Sequence, residues 1–283
     1  MIQKIGRCLL LLSFSLVALA TANAGLQKKS NETQKKSPEK QLEALIAEFN
    51  KLQSDYRTKS SALSRKYQKL YNAAKTPAEK AKVITEFRSK LPKNPTLTIV
   101  PKITKLLDGS TIDLKSDLGL KAMIWVIKNQ PRNRTAISKY FKAIGEYHAM
   151  SAKIADALPA FQRVFGQNPE PLFRKVLDKN KNHRAKALAC YSLAGYLAAK
   201  NRRAKKPNPE IAKLYERVVS EFGKVMLGGS TLAKLVEAPL FEAKHLQIGK
   251  VVPDIVAQDI DGKEFKISDY RGKVVVIDFW GDW

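Results

Sequence analysis

The spacing of the apolar residues changes once along this chain, at Gly249, and that change limits the fold more than any other feature. From Ser37 to Leu246 apolar side chains recur every three or four residues, the spacing of helices with one buried face. From Gly249 onward they form short blocks broken at Asp261-Gly262 and Arg271-Gly272-Lys273, the pattern of strands joined by tight turns. A mainly α-helical region, residues 38–246, is therefore expected ahead of an extended segment, residues 247–283.

Start and stop signals divide the helical region. Ser37-Pro38 opens the first helix, with serine as the cap and proline in the first turn. Leu42, Leu45, Ile46, Phe49 and Leu52 form its stripe, which weakens from Arg57 to Ser61 and returns at Leu63, Tyr67 and Leu70. This reads as a long amphipathic hairpin or a short coiled coil, without clean heptads. Thr76-Pro77-Ala78-Glu79 has the residues of a capping box, and Leu91-Pro92-Lys93-Asn94-Pro95 stops the helix that starts there. Residues 96–118 carry no decisive pattern. Helical stripes then recur around Trp125, over Ala136–Tyr147, Leu172–Leu177 and Ala187–Ala199, after Asn208-Pro209-Glu210, and over Leu232–Phe241. A helical bundle or a helical-repeat layer accounts for them, and no fixed repeat length decides between the two.

The N-terminus reads as an export leader. Lys4 and Arg7 precede the apolar run Cys8–Ala20, which is too short to span a bilayer, and Ala22-Asn23-Ala24 supplies the small residues of a cleavage site. Residues 1–24 are thus expected to be a signal peptide, and 25–37 a flexible linker. An uncleaved anchor is the alternative. The cleaved protein would reside in the periplasm or cell envelope, and no later stretch is apolar enough to span a bilayer.

The full chain has 51 Lys+Arg against 26 Asp+Glu, net +25; removing the leader, with Lys4 and Arg7, leaves +23. An anionic surface is the partner class such a charge suits. The basic residues are spread over helical faces as well as clusters, and no aromatic-interleaved motif accompanies them. A solvated surface is the plainer reading, and no specific nucleic-acid partner is expected. Cys8 leaves with the leader, so Cys190 stands alone and cannot form an internal disulfide. It sits among Ala, Leu and Tyr at helical spacing, the setting of a small buried side chain. His148, His183 and His245 are scattered, and no Gly-rich phosphate loop is present, so no metal and no cofactor are expected.

In the extended segment, Ile255-Val256-Ala257 leads into Asp261-Gly262, a β-hairpin turn, and Val274 to Phe279 is a run of apolar, mostly β-branched residues of the kind buried on both faces of a central sheet. The arrangement Gly249, Pro253-Asp254, Asp261-Gly262-Lys263, Ile267-Ser268-Asp269-Tyr270-Arg271-Gly272-Lys273 and Val274 through Asp278-Phe279-Trp280-Gly281-Asp282-Trp283 resembles the exported thioredoxin-like thiol–disulfide oxidoreductases of the redoxin group. The resemblance implies the start of an α/β thioredoxin-like domain: a β-hairpin plus one central strand. It implies a protein dithiol or disulfide as partner. It also implies that Asp278 assists proton transfer beneath the redox pair and that Trp280 and Trp283 flank it. The alternatives are a polar side chain on a solvent face for Asp278 and plain core for the tryptophans.

The family continues after this tryptophan with Cys-x-x-Cys at a helix N-terminus, where the helix lowers the pKa of the attacking thiol. This sequence has no Cys-x-x-Cys, so it is expected to be inactive in thiol exchange as it stands. A fragment, a nonsense-truncated product and a misread selenocysteine codon each account for that. Two other functions compete: a non-catalytic helical scaffold or partner-binding protein, and a peroxiredoxin-type antioxidant peroxidase fragment. The Trp-Gly-Asp-Trp run favours the Cys-x-x-Cys type over the peroxidase.

Overall fold

The structure, a computed structural model, describes residues 37–129, 134–164, 166–204 and 208–278. The leader, most of the linker, and Phe279–Trp283 lie outside the described residues. Ten α-helices and two small antiparallel sheets are present among those described. The chain divides after Ile144 into two compact units.

The first unit starts with α1, Pro38–Ala73, which is continuous for 36 residues through the weakly patterned stretch at Arg57–Ser61. Ser37 Oγ accepts a hydrogen bond from the Lys40 amide, and Pro38 occupies the first turn. Helix α2, Pro77–Lys90, opens with the complete capping box: Thr76 Oγ1 accepts from the Glu79 amide, and the Glu79 carboxylate accepts from the Thr76 amide. Thr96–Asp108 form α3, Asp117–Asn129 α4 and Arg134–Ala143 α5. Helix α1 packs on α2 and α3, α4 on α3, and α5 on α4. The buried core draws on Leu42, Ile99, Ile103, Leu120, Met123 and Ile137. Phe49 meets Trp125 edge to face, ring centres 4.9 Å apart.

The second unit contains the short α6, Leu158–Phe161, then α7, Glu170–Lys179, α8, His183–Ala204, α9, Pro209–Phe222, and α10, Leu232–His245. Helix α8 contacts α6, α7, α9 and α10. The reason is its composition: Ala185, Ala187, Ala189, Cys190, Ser192 and Ala194 are buried, so small side chains let neighbours approach from several sides. The turn between α7 and α8 is clamped by Asn180, which is buried. Its Nδ2 donates to the carbonyls of Ala149 (2.8 Å) and Ser151 (3.1 Å), and its Oδ1 accepts from the Asn182 amide (2.8 Å). Asn208 caps α9, accepting from the Glu210 amide at 3.0 Å.

A feature not read from the sequence is the hairpin of β1, Met226–Leu227, and β2, Ser230–Thr231. Gly228 and Gly229 make its two-residue turn with φ of +57° and +85°. A turn with positive φ at both central positions matches the twist of paired strands, and glycine adopts it without steric cost.

Candidate functional site

The second unit ends in the segment that carries the family resemblance. Strand β3, Val256–Gln258, pairs antiparallel with β4, Glu264–Lys266, in the register Val256 with Lys266, Ala257 with Phe265 and Gln258 with Glu264. The expected hairpin is present. Asp259 organises its turn: one carboxylate oxygen accepts from the amides of Asp261 (3.0 Å) and Lys263 (2.9 Å), while its carbonyl accepts from the Gly262 amide. Gly262 takes φ of +79°, which a side chain would resist.

Beyond β4 comes a 3-10 turn, Ile267–Tyr270. Asp254 ties it back to the start of the segment, its carboxylate accepting from the Ser268 hydroxyl (2.7 Å) and amide (2.8 Å). The Ser268 hydroxyl, with its amide, holds the Asp254 carboxyl below the usual carboxylate range. The Asp269 carboxylate accepts from the Lys266 amide, and Phe265 and Tyr270 meet edge to face. At the second expected turn, Lys273 N–H donates to the Tyr270 carbonyl and Gly272 has φ of +82°.

The run that begins at Val274 departs from expectation. Residues 274–278 pair with no strand among the described residues, and they are exposed rather than buried on both faces. Val274 and Val276 are 96% and 89% exposed, Val275 and Ile277 45% each. Exposure thus alternates along the run as it would in a strand, without a sheet neighbour among the described residues. Burial requires covering layers, and no described element supplies them. Asp278 lies at the end of this run and is exposed; Trp280 and Trp283 lie outside the described residues. The three expected site residues are thus not brought together among the described residues.

Cys190 is fully buried on α8, its thiol donating to the Leu214 carbonyl at 3.5 Å. Burial pushes the thiol up to about 12, with Glu221 adding to the rise and Arg217 opposing it. A buried thiol held largely protonated is a poor nucleophile and a poor metal ligand. The histidines occupy separate settings: His148 is buried, His183 meets the ring of Phe222, and His245 that of Phe241. Among the described residues no group of three His, Cys, Asp or Glu side chains is placed to hold a metal ion. No described helix is long and apolar enough to cross a membrane.

Sequence reasoning missed a cavity of about 370 Å³ in the second unit. It lies where α8, α9 and α10 converge, with Leu246, Gln247 and Ile248 also lining it. No motif marks it, because its residues come from separate helices.

Comparison with known proteins yields partial, low-identity relatives. The chain is 35% identical over 72 residues to the thiol-disulfide oxidoreductase ResA of Geobacillus thermodenitrificans, covering 25% of this chain and 41% of that protein. It is 32% identical over 59 residues to the ResA of Bacillus cereus, covering 21% and 34%. It is 45% identical over 42 residues to the ResA of Geobacillus kaustophilus, covering 15% and 24%. The chain therefore spans well under half the length of these relatives. No protein-family model and no solved structure matches.

Proposed function

We propose that residues 249–283 are the opening of a thioredoxin-like thiol–disulfide oxidoreductase domain, carried behind a helical region in the cell envelope. The observation that supports this most is the partial identity to three proteins named as thiol-disulfide oxidoreductases. The ordered hairpin, the Asp254–Ser268 tie and the turn at Gly272 agree with it. The partner is a protein dithiol or disulfide. Asp278 is the proton-transfer position, and Trp280 and Trp283 flank the redox pair.

Thiol exchange proceeds by attack of a thiolate on one sulfur of a disulfide, the other sulfur leaving as the new thiolate. The sequence contains Cys8 and Cys190 alone, and Cys190 is held protonated in the core. Residues 1–283 by themselves hold no Cys-x-x-Cys pair, and on this reading dithiol exchange would need one. The nucleotide sequence after the Trp283 codon tests the assignment. An in-frame cysteine or selenocysteine and then x-x-Cys supports it. A stop with no such continuation removes the oxidoreductase reading for this polypeptide. Function would then rest with the helices as a partner-binding scaffold, a reading favoured by the contrast between the well-buried α8 core and the exposed C-terminal segment.

A further inference from the structure

The cavity among α8, α9 and α10, about 370 Å³, has the size of known ligand sites, about 300–1,000 Å³, and its lining is mixed polar and apolar. Tyr215 lines it: the residue as a whole is buried, while its hydroxyl, which has no hydrogen-bond partner among the described residues, opens onto the cavity and solvent. Burial, with Tyr191 and Glu242 nearby, pushes this phenol up to about 12, so it stays protonated and can both donate and accept.

Neighbouring polar groups also face the cavity: the Gln162 carboxamide and the Tyr191 hydroxyl, both on part-exposed residues, line it. Asn208 spends its Oδ1 on capping α9, which leaves its Nδ2 open. Asn201 Nδ2 donates to Gln247 Oε1 at 3.5 Å, leaving Asn201 Oδ1 open. Gly195 makes room for this arrangement: a Cβ there would meet Gln162 Oε1 at 2.6 Å, so a side chain on α8 would displace the carboxamide.

The charges largely cancel. Arg202 pairs with Glu242 at 3.5 Å, leaving Arg163 as the other charged lining residue. The cavity thus offers both donors and acceptors, little net charge, and the apolar surfaces of Ile211 and Leu246. A neutral chain that presents donors and acceptors alternately, with apolar branches, fits that description. An extended polypeptide backbone is such a chain.

We propose that this cavity binds an extended, uncharged polypeptide segment, its backbone N–H and C=O groups meeting Gln162, Asn201, Asn208 and Tyr215 and an apolar side chain lying against Ile211 and Leu246. Choosing a polypeptide over another neutral polymer rests on the thiol–disulfide reading. The cavity would receive the unfolded part of a client protein.

The test uses the full chain and a fluorescein-labelled model protein, reduced and S-carbamidomethylated so that it stays unfolded and has no thiol. Fluorescence anisotropy measures binding. Tyr215→Phe keeps the ring and deletes the open hydroxyl, and binding is expected to weaken about five- to tenfold. Ala199→Trp, at an exposed position of α8 lining the cavity, fills it and is expected to abolish binding, with circular dichroism reporting that the helices remain. Equal binding by both variants and the parent chain overturns the proposal. So does an absence of polypeptide binding alongside variant-sensitive binding of a neutral chitin oligosaccharide, which makes the ligand a glycan. The assay has no thiol step, so its outcome is independent of the nucleotide sequence downstream of the Trp283 codon.

Discussion

Cys190 provides the sharpest quantitative test of the folded core. Its thiol rises from an ordinary value of 9.0 to about 12 in the native chain. At pH 8, below both values, each unit of upward shift lowers the thiolate fraction tenfold, so the folded thiolate population is about a thousandfold below that of the unfolded chain. Full burial adds a second barrier, since a disulfide reagent reaches the sulfur only when α8 and α9 separate. A Cys8→Ser variant leaves Cys190 as the single thiol. Its reaction with an aromatic disulfide reagent is monitored by absorbance, in buffer and in guanidinium. The native rate is expected to be at least about a thousandfold slower than the unfolded rate. The linkage has a definite sign: because the folded value is the higher one, this thiol's contribution to stability is complete below pH 9.0. That contribution fades as the pH climbs toward about 12. Native labelling within tenfold of the unfolded rate would refute both the burial of Cys190 and its exclusion from redox chemistry.

Single contacts elsewhere carry their own consequences. Asn180→Ala strands the Ala149 and Ser151 carbonyls and should cost about 3 kcal/mol in denaturant unfolding; a loss under about 1 kcal/mol would show that the α7–α8 turn does not depend on the clamp. Phe49→Ala opens a cavity beside Trp125, with about 3–4 kcal/mol lost and a changed tryptophan emission; an unaltered emission argues against the edge-to-face contact. The Asp254 carboxyl is depressed below its ordinary 3.8, so the tie to Ser268 is complete above that pH and is lost as the pH falls further. The Ser268 amide resonance should report that titration and lose it in Asp254→Asn. Net charge of +25 predicts retention on an acidic polymer that weakens steeply with salt, and salt-independent retention contradicts an electrostatic origin.

Much of the local structure was legible from residues within four positions of one another. Ser37-Pro38, Thr76 through Glu79 and Asn208-Pro209 mark helix starts because a cap satisfies amides in the very next turn. Asp261-Gly262 marks a hairpin for the same reason: the Asp259 side chain and the positive φ of Gly262 act inside the turn itself. The candidate site residues Asp278, Trp280 and Trp283 were legible only as a resemblance, since what they do depends on groups far from them along the chain.

Tertiary structure decided what no local pattern specifies. The unpatterned stretch after Pro95 became α3 because Ile99, Val100, Ile103 and Leu107 find α1 and α4 to pack against. Small residues made α8 the hub of the second unit, yet their spacing alone does not say how many neighbours will use them. The open hydroxyl of Tyr215 exists only where α8, α9 and α10 meet. The Val274–Ile277 run shows the converse: its residues have high strand propensity and alternating exposure, but a sheet forms only when a second strand completes its hydrogen bonds. Caps and turns close within a few residues and are written in sequence. Sheets, hubs and cavities close between distant residues, so the folded chain alone determines them.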